Sequence, residues 1–334
     1  MLWLKSSFIS FNFLFAFLIA AIVAALSIGS VPIRMFDLLD GTATELEWTV
    51  LFEIRTPRVI LAGFVGAALA LAGAALQGLF RNPLADPGLI GVSSGAALGA
   101  IAMIVLGSGL NLLPELMPYA LPVAAVLGAL TVTIFLYLFA SYYGQFSILT
   151  VILLGIAINA LASVGIGAFQ YLSDDAQLRS LVFWMMGSFG RASWEIVMPA
   201  MAIVIISLVL LLSQTKNLDR LQLGEAEAWF LGVDVKNLKR LIILSVSAAV
   251  GAGVSISGII GFVGLVVPHI VRLVLGSSHR LVLPGSVLIG ATLMIIADLI
   301  SRILHSPAEI PISLVTSAIG APFFLWLISR TRPS

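Results

Sequence analysis

Apolar runs broken by polar residues or by Pro and Gly divide the chain into ten segments, about 8–28, 59–80, 89–107, 118–140, 147–171, 194–213, 238–257, 259–275, 281–303 and 310–329. Most approach the roughly 20 residues a helix needs to cross about 30 Å of hydrocarbon. The pattern predicts an all-α, polytopic membrane protein of about ten transmembrane helices, with 1–334 forming one domain. Several runs are short or carry internal Gly and Pro, which a membrane helix tolerates where its backbone faces protein or a water-filled cavity. Lys5 precedes the first run as in a secretory leader. That run is longer than the roughly 7–15 apolar residues of such a leader and more spans follow, so it reads as a retained helix.

The stretch from Arg55 to Gly99 carries the densest signal. R-T-P-R at 55–58 leads into a run whose Gly63, Gly66, Ala70, Gly73 and Ala74 recur at three-, four- and seven-residue spacing, the small face of a closely packed membrane helix. Pro83 and Pro87, with Asn82 and Asp86, stop that helix and make residues 81–88 a tight polar connector. At an offset of 185 residues, V-G-A at 65–67, Gly73, Pro83 and Gly91 recur as V-G-A at 250–252, Gly258, Pro268 and Gly276. Two readings are open. Halves of about 55–175 and 236–330, five spans apart, would be inverted in the membrane, as in transporters built around a central pathway. Alternatively, two Gly-rich helices coincide.

Charge orients these segments. Placing both termini on one side gathers 11 of the 17 Lys and Arg there and leaves Arg34, Arg55, Arg58, Arg179, Arg191 and Arg302 opposite, so the positive-inside rule makes both termini cytoplasmic. The longest cytoplasmic loop, 213–239, holds an amphipathic segment with Leu221, Leu223, Ala228, Trp229 and Leu231 among acids, ending at Gly232. Glu225 and Glu227 on its polar side favour a protein partner over lipid headgroups. Arg55, Arg58 and Arg302 fall on the outer side, where they either receive carboxylates from a soluble partner or act as interfacial anchors. Asp298 sits four residues before Arg302, the spacing of a helical ion pair.

Composition removes whole classes of function. With 60% hydrophobic residues, 10% charged and a mean hydropathy of +1.14, no water-soluble fold of this size avoids large exposed apolar patches. A net charge of +1 gives no basis for nucleic-acid binding. There is no cysteine for disulfides or thiolate metal sites, and His269, His279 and His305 are too scattered to build a metal site. His305, at the outer end of the ninth run, is a candidate contact for cargo. No G-x-x-x-x-G-K-[ST] occurs, so ATP must be hydrolysed on another polypeptide. The scarcity of ionisable groups in the spans counts against an ion-coupled secondary transporter, and apart from Asp298 with Arg302 there is no cluster of catalytic groups for a membrane enzyme; these two classes stay open as alternatives. The chain is expected to be no enzyme and to hold no cofactor of its own.

These motifs resemble a known family. R-T-P-R at 55–58, Q-G-L-F-R-N-P-L-A-D-P-G-L-I-G at 77–91, W-M-M-G-S-F-G at 184–190, L-G-E at 223–225, G-F-V-G-L-V-V-P-H-I-V-R at 261–272 and A-D-L-I-S-R at 297–302 are similar to the permease subunits of ATP-binding-cassette importers for iron-siderophores, haem and vitamin B12, the FecCD-like family. The resemblance implies the type II importer fold in a bacterial inner membrane. It also implies a homodimer with the cargo path on its two-fold axis, two cytoplasmic ATPase subunits and a periplasmic substrate-binding protein. Residue by residue, it implies docking of that binding protein on Arg55, Arg58 and Arg302. ATPase coupling falls on Leu221, Leu223, Gly224, Glu225, Trp229 and Gly232. Path and gate positions fall on Asn82 and Leu84, on Ser141, Gln145 and Ser147, and on Ser173 and Asp174. Asp174 and Asp175 depart from the small neutral residues of a relative. The wording of 77–100 and of W-M-M-G-S-F-G-R is most similar to haem members, with vitamin B12 members close, so haem is the expected cargo and a ferric siderophore or vitamin B12 the alternative.

Overall fold

A computed structural model describes residues 2–29, 33, 40–110, 113–143, 147–305 and 308–330; Arg34, Gln145 and Arg332 lie outside them. The described residues form thirteen α-helices and no strand. They are α1 (Leu2–Ser27), α2 (Glu45–Phe80), α3 (Val92–Leu106), α4 (Met117–Tyr143), α5 (Ile148–Leu172), α6 (Asp175–Met185) and α7 (Trp194–Ser213). The chain continues with α8 (Thr215–Leu221), α9 (Glu225–Phe230), α10 (Val235–Ser257), α11 (Val263–Leu275), α12 (His279–Ile303) and α13 (Ile312–Arg330). Six of them, α2, α4, α5, α7, α10 and α12, are long and apolar enough to cross a membrane. Shorter apolar stretches lie in α1, α3, α11 and α13.

The main departure from the sequence expectation lies at the start of α2. R-T-P-R reads as a break before residue 59, yet the helix begins at Glu45 and runs through it. Pro57 has no N–H to donate and its ring crowds the preceding turn, and the chain answers by widening to a π-helix over Val50–Arg55. Thr56 fills the loosened ladder, its Oγ1 donating to the Leu51 carbonyl at 2.7 Å. The other addition is α6, too short to be recognised as an apolar run. It is started by a capping box in which Asp174 Oδ1 accepts the Gln177 N–H and Gln177 Oε1 accepts that of Asp174.

α2 is the axis of the bundle: 83% of its apolar stretch is buried, against 22% for α4 and 28% for α5 and α7, which form the perimeter. The small residues explain this. A Cβ on Gly66 would collide with the Gly290 carbonyl of α12, and one on Gly290 with the Gly66 carbonyl, so these backbones touch. Gly95 and Gly128 do the same for α3 and α4, and Gly73 lies on Gly264 of α11.

Two connectors enter the bundle. After Phe80, a 3₁₀ turn at Pro87–Ile90 brings the Gly88 carbonyl to Asn159 Nδ2 at 3.0 Å, and Ser94 Oγ donates to Asn159 Oδ1 at 2.7 Å. Asn159 is three turns into α5, so the connector reaches roughly 16 Å deep at 1.5 Å per residue. It turns into α3 at Gly91, whose φ of 78° suits a residue without Cβ. Residues 258–262 enter similarly, held by Ser313 Oγ on the Ile259 carbonyl at 2.7 Å, and turn into α11 at Phe262 with φ 69°. Both helices start inside the protein, where free N–H groups face side chains and backbone rather than lipid.

Candidate functional site

The ends of α1 and α12 meet α2, about three turns from its start, in a cluster of buried charge. Arg58 forks onto Asp298, with Nε to Oδ1 at 3.0 Å and Nη2 to Oδ1 at 2.8 Å. The same guanidinium grips Glu309, Nη1 to Oε1 at 2.5 Å and Nη2 to Oε2 at 3.0 Å. Arg302 pairs with Asp298 Oδ2 at 3.2 Å and donates through Nη2 to the Ala25 carbonyl at 3.0 Å. Arg55 Nη1 donates to the carbonyls of Leu26 and Ser27 at 2.6 and 3.0 Å. The last turn of α1 thus presents carbonyls at the negative end of its dipole to two arginines. Three guanidiniums and two carboxylates leave one net positive charge.

The expected i,i+4 pair of Asp298 and Arg302 is present, within a larger network. Arg55 and Arg58 are buried, and Asp298 is only 1% exposed. The physical reason is pairing, since a guanidinium out of water needs a carboxylate or carbonyls in bidentate geometry. Glu309, absent from the sequence-derived site, is the solvent-facing member, with its side chain 39% exposed. The signal available for it was an acid in E-I-P with no local basic partner. Its segment is fastened to α12 by the Ser301 hydroxyl on the Ile310 carbonyl and by the Ile310 N–H on the Ser301 carbonyl at 3.1 Å. Beside it opens a cavity of about 670 Å³ lined by Trp184, Ser188, exposed Arg191, Ser257 and Glu309. His305 is exposed nearby in sequence and makes none of these contacts.

The opposite end carries α8 and α9. The amphipathic segment does not form one apolar stripe: the turn at 222–224, with Gly224 at φ 132°, sends Leu221 and Ala228 into the core and leaves Leu223, Trp229, Phe230 and Leu231 outside. Trp229 and Phe230 are 66% and 79% exposed and meet edge to face at 5.1 Å. Gly232, at φ 83°, ends the turn. This apolar tip is fixed to the bundle. Asp219 accepts the Ser278 hydroxyl at 3.0 Å, the His279 N–H at 2.7 Å and His279 Nδ1 at 2.9 Å. Gln222 Nε2 donates to the Gly78 carbonyl at 2.9 Å, and Glu225 pairs with Lys239 at 2.6 Å. The tip therefore reports directly on α2, α10 and α12.

The expected path residues divide into three places. Asn82 and Leu84 are exposed on the connector, where Asn82 Oδ1 accepts the Leu84 N–H at 2.9 Å. Behind them Asp86 accepts the Gly88 N–H at 2.8 Å; burial pushes its carboxyl above the ordinary value, and that N–H partly opposes the shift. Ser147 caps α5 and Ser141 ends α4 with a buried hydroxyl. Ser173 and Asp174 join α5 to α6, and the capping box gives the departing acid at 174 a structural reason.

The sequence pattern of the FecCD transport family matches residues 17–330, and the chain belongs to that family. Among curated relatives, it is 42% identical over 321 residues to the hemin transport system permease protein HmuU of Yersinia pestis, covering 96% of this chain and 95% of that one. It is 39% identical over 334 residues to the vitamin B12 import system permease protein BtuC of Vibrio cholerae, covering 99% and 96%. A solved structure described as an inward-facing conformation of a metal-chelate type ABC transporter superposes with a TM-score of 0.85 at 37% identity, over 95% of this chain and 97% of that one.

Proposed function

We propose that the chain is the membrane-spanning subunit of an ATP-binding-cassette importer that moves a metal chelate inward by alternating access, with haem as cargo and a ferric siderophore or vitamin B12 as the alternative. The observation that carries this reading is the apolar tip of α9. It is a surface aromatic pair on a short acidic helix, tied through Asp219 and Gln222 to the ends of α12 and α2. An exposed aromatic knob flanked by acids is what a groove on a soluble partner would receive.

In this reading ten helices span a bacterial inner membrane with both termini cytoplasmic, and two copies form the pathway. Two ATPase subunits engage residues 221–232, and a periplasmic binding protein docks over Arg55, Arg58 and Arg302. The re-entrant starts of α3 and α11 support an inverted pair of halves. Cargo passes the connectors at Asn82 and Leu84, at 141–147, and at Ser173 and Asp174. The identities to hemin and vitamin B12 permeases support the chelate class.

The test is reconstitution with the ATPase and binding protein in liposomes, offering hemin, a ferric siderophore and cobalamin in parallel. ATP-dependent accumulation of hemin is the expected result. Accumulation by the chain alone, or none with any chelate, would overturn the proposal.

A further inference from the structure

At the α8–α9 end a cavity of about 340 Å³ lies between the end of α2, the end of α11 and the start of α12. Arg81, Arg272 and His279 line it, together with Gln77, Asn82 and Gln222, and no carboxylate does. Arg272 uses Nη1 on Gln77 Oε1 at 2.5 Å, and its other donors have no acceptor among the described residues. The Arg81 guanidinium has none there either. His279, 3% exposed, directs Nδ1 to Asp219 and leaves Nε2 without a partner. Asp219 is engaged by Ser278 and His279 and does not line the cavity.

Two permanent positive charges therefore face one polar space with no carboxylate among the described residues lining it to neutralise them. Guanidiniums in that arrangement match the tetrahedral oxygens of a phosphate. Arg81 is held there at a cost: it ends α2 with φ 49°, a left-handed conformation that glycine would adopt without strain.

We propose that this cavity is a binding site for a phosphate-class anion, held by Arg81 and Arg272 with His279 and Gln222 at its wall. The bound anion joins α2, α11 and α12 beside the anchor of the α9 tip. Two sources share this chemistry: free phosphate, such as ATP hydrolysis releases, and the headgroup of an anionic phospholipid. The cavity is larger than one phosphate ion needs, so an ester substituent also fits.

The purified full-length chain in phosphatidylcholine nanodiscs would be titrated with inorganic phosphate, read by ³¹P NMR and calorimetry. In a second arm, nanodiscs containing phosphatidylglycerol would be analysed for retained lipid by native mass spectrometry. Saturable phosphate binding identifies the free ion, and retained phosphatidylglycerol identifies the headgroup; either supports the site. Arg81→Gln and Arg272→Gln should each weaken the observed binding at least tenfold. Arg81→Gly should lose binding equally while relieving the left-handed strain, so its unfolding midpoint should not fall. Should Arg272→Gln fail to fold, the two variants at the exposed position 81 still decide the matter. Absence of binding in both arms, or binding unchanged in the Arg81 variants, would overturn the proposal. Neither arm uses an ATPase or a binding protein, so its failure is distinct from failure of the transport reading.

Discussion

Asp298→Asn would strip the carboxylate that Arg58 and Arg302 share while keeping side-chain shape and one acceptor oxygen. Asp298 takes two N–H groups from Arg58, at 3.0 and 2.8 Å, and pairs by charge with Arg302 Nε at 3.2 Å, in a site with 1% exposure. Removing one member of such a buried pair typically costs about 3–5 kcal/mol, because the remaining charge stays desolvated and unpaired. Here Arg58 keeps Glu309 and Arg302 keeps the Ala25 carbonyl, so the lower figure, about 3 kcal/mol, is expected. Glu309→Gln breaks a contact of similar length, but at a side chain 39% exposed, where solvent screening limits the loss to about 1 kcal/mol or less. Arg302→Gln should recover part of the loss in the Asp298→Asn background, since it removes the stranded charge. Equilibrium unfolding of the purified chain in mixed micelles, followed by helical circular dichroism, measures all three variants against the parent. If Asp298→Asn fell within about 1 kcal/mol of the parent, or no further from it than Glu309→Gln, the charge pairing described for this end would be wrong.

Glu309 occupies the outer face of Arg58, so under the transport reading Glu309→Gln should tighten docking of the binding protein severalfold, measured by surface plasmon resonance on nanodiscs; weaker docking would instead make Glu309 part of the receptor. Trp229→Ala with Phe230→Ala should leave the unfolding midpoint unchanged, because both rings are exposed. Co-purification of the ATPase should fall by about 2 kcal/mol in affinity or more, the scale of an aromatic interface anchor; undiminished association would place the interface elsewhere. Burial raises the Asp86 carboxyl in the folded chain above its ordinary 3.8, so the folded state holds the proton more tightly. The resulting penalty is absent below 3.8 and complete above the folded value. Asp86→Asn keeps the acceptor for Gly88 and should be at least as stable as the parent at pH 7, the parent gaining relative to it on acidification; a parent that lost ground on acidification would contradict the burial.

The long apolar runs were legible because their period and length are properties of the sequence alone, and 194–213 coincides with α7. What was hidden depends on how backbone strain is resolved in three dimensions. A proline after a charged residue and a threonine marks a helix boundary in most contexts, yet the π-turn at Val50–Arg55 absorbs Pro57 and extends α2 by about three turns beyond the charge cluster. The amphipathic loop shows the same limit: hydrophobicity identifies Leu221, Leu223, Ala228 and Trp229 as one set, and only the φ of Gly224 decides which of them point inward. For the arginines, sequence supplied the residues and one partner at helical spacing, whereas the Arg58 contacts with Asp298 and Glu309 span 240 and 251 residues and exist only because α2 and α12 touch at Gly66 and Gly290. Local chemistry is thus readable to the extent that its partners are local. Here a glycine pair near the middle of the membrane span determines whether charges at its end are exposed to a partner or already paired within the chain.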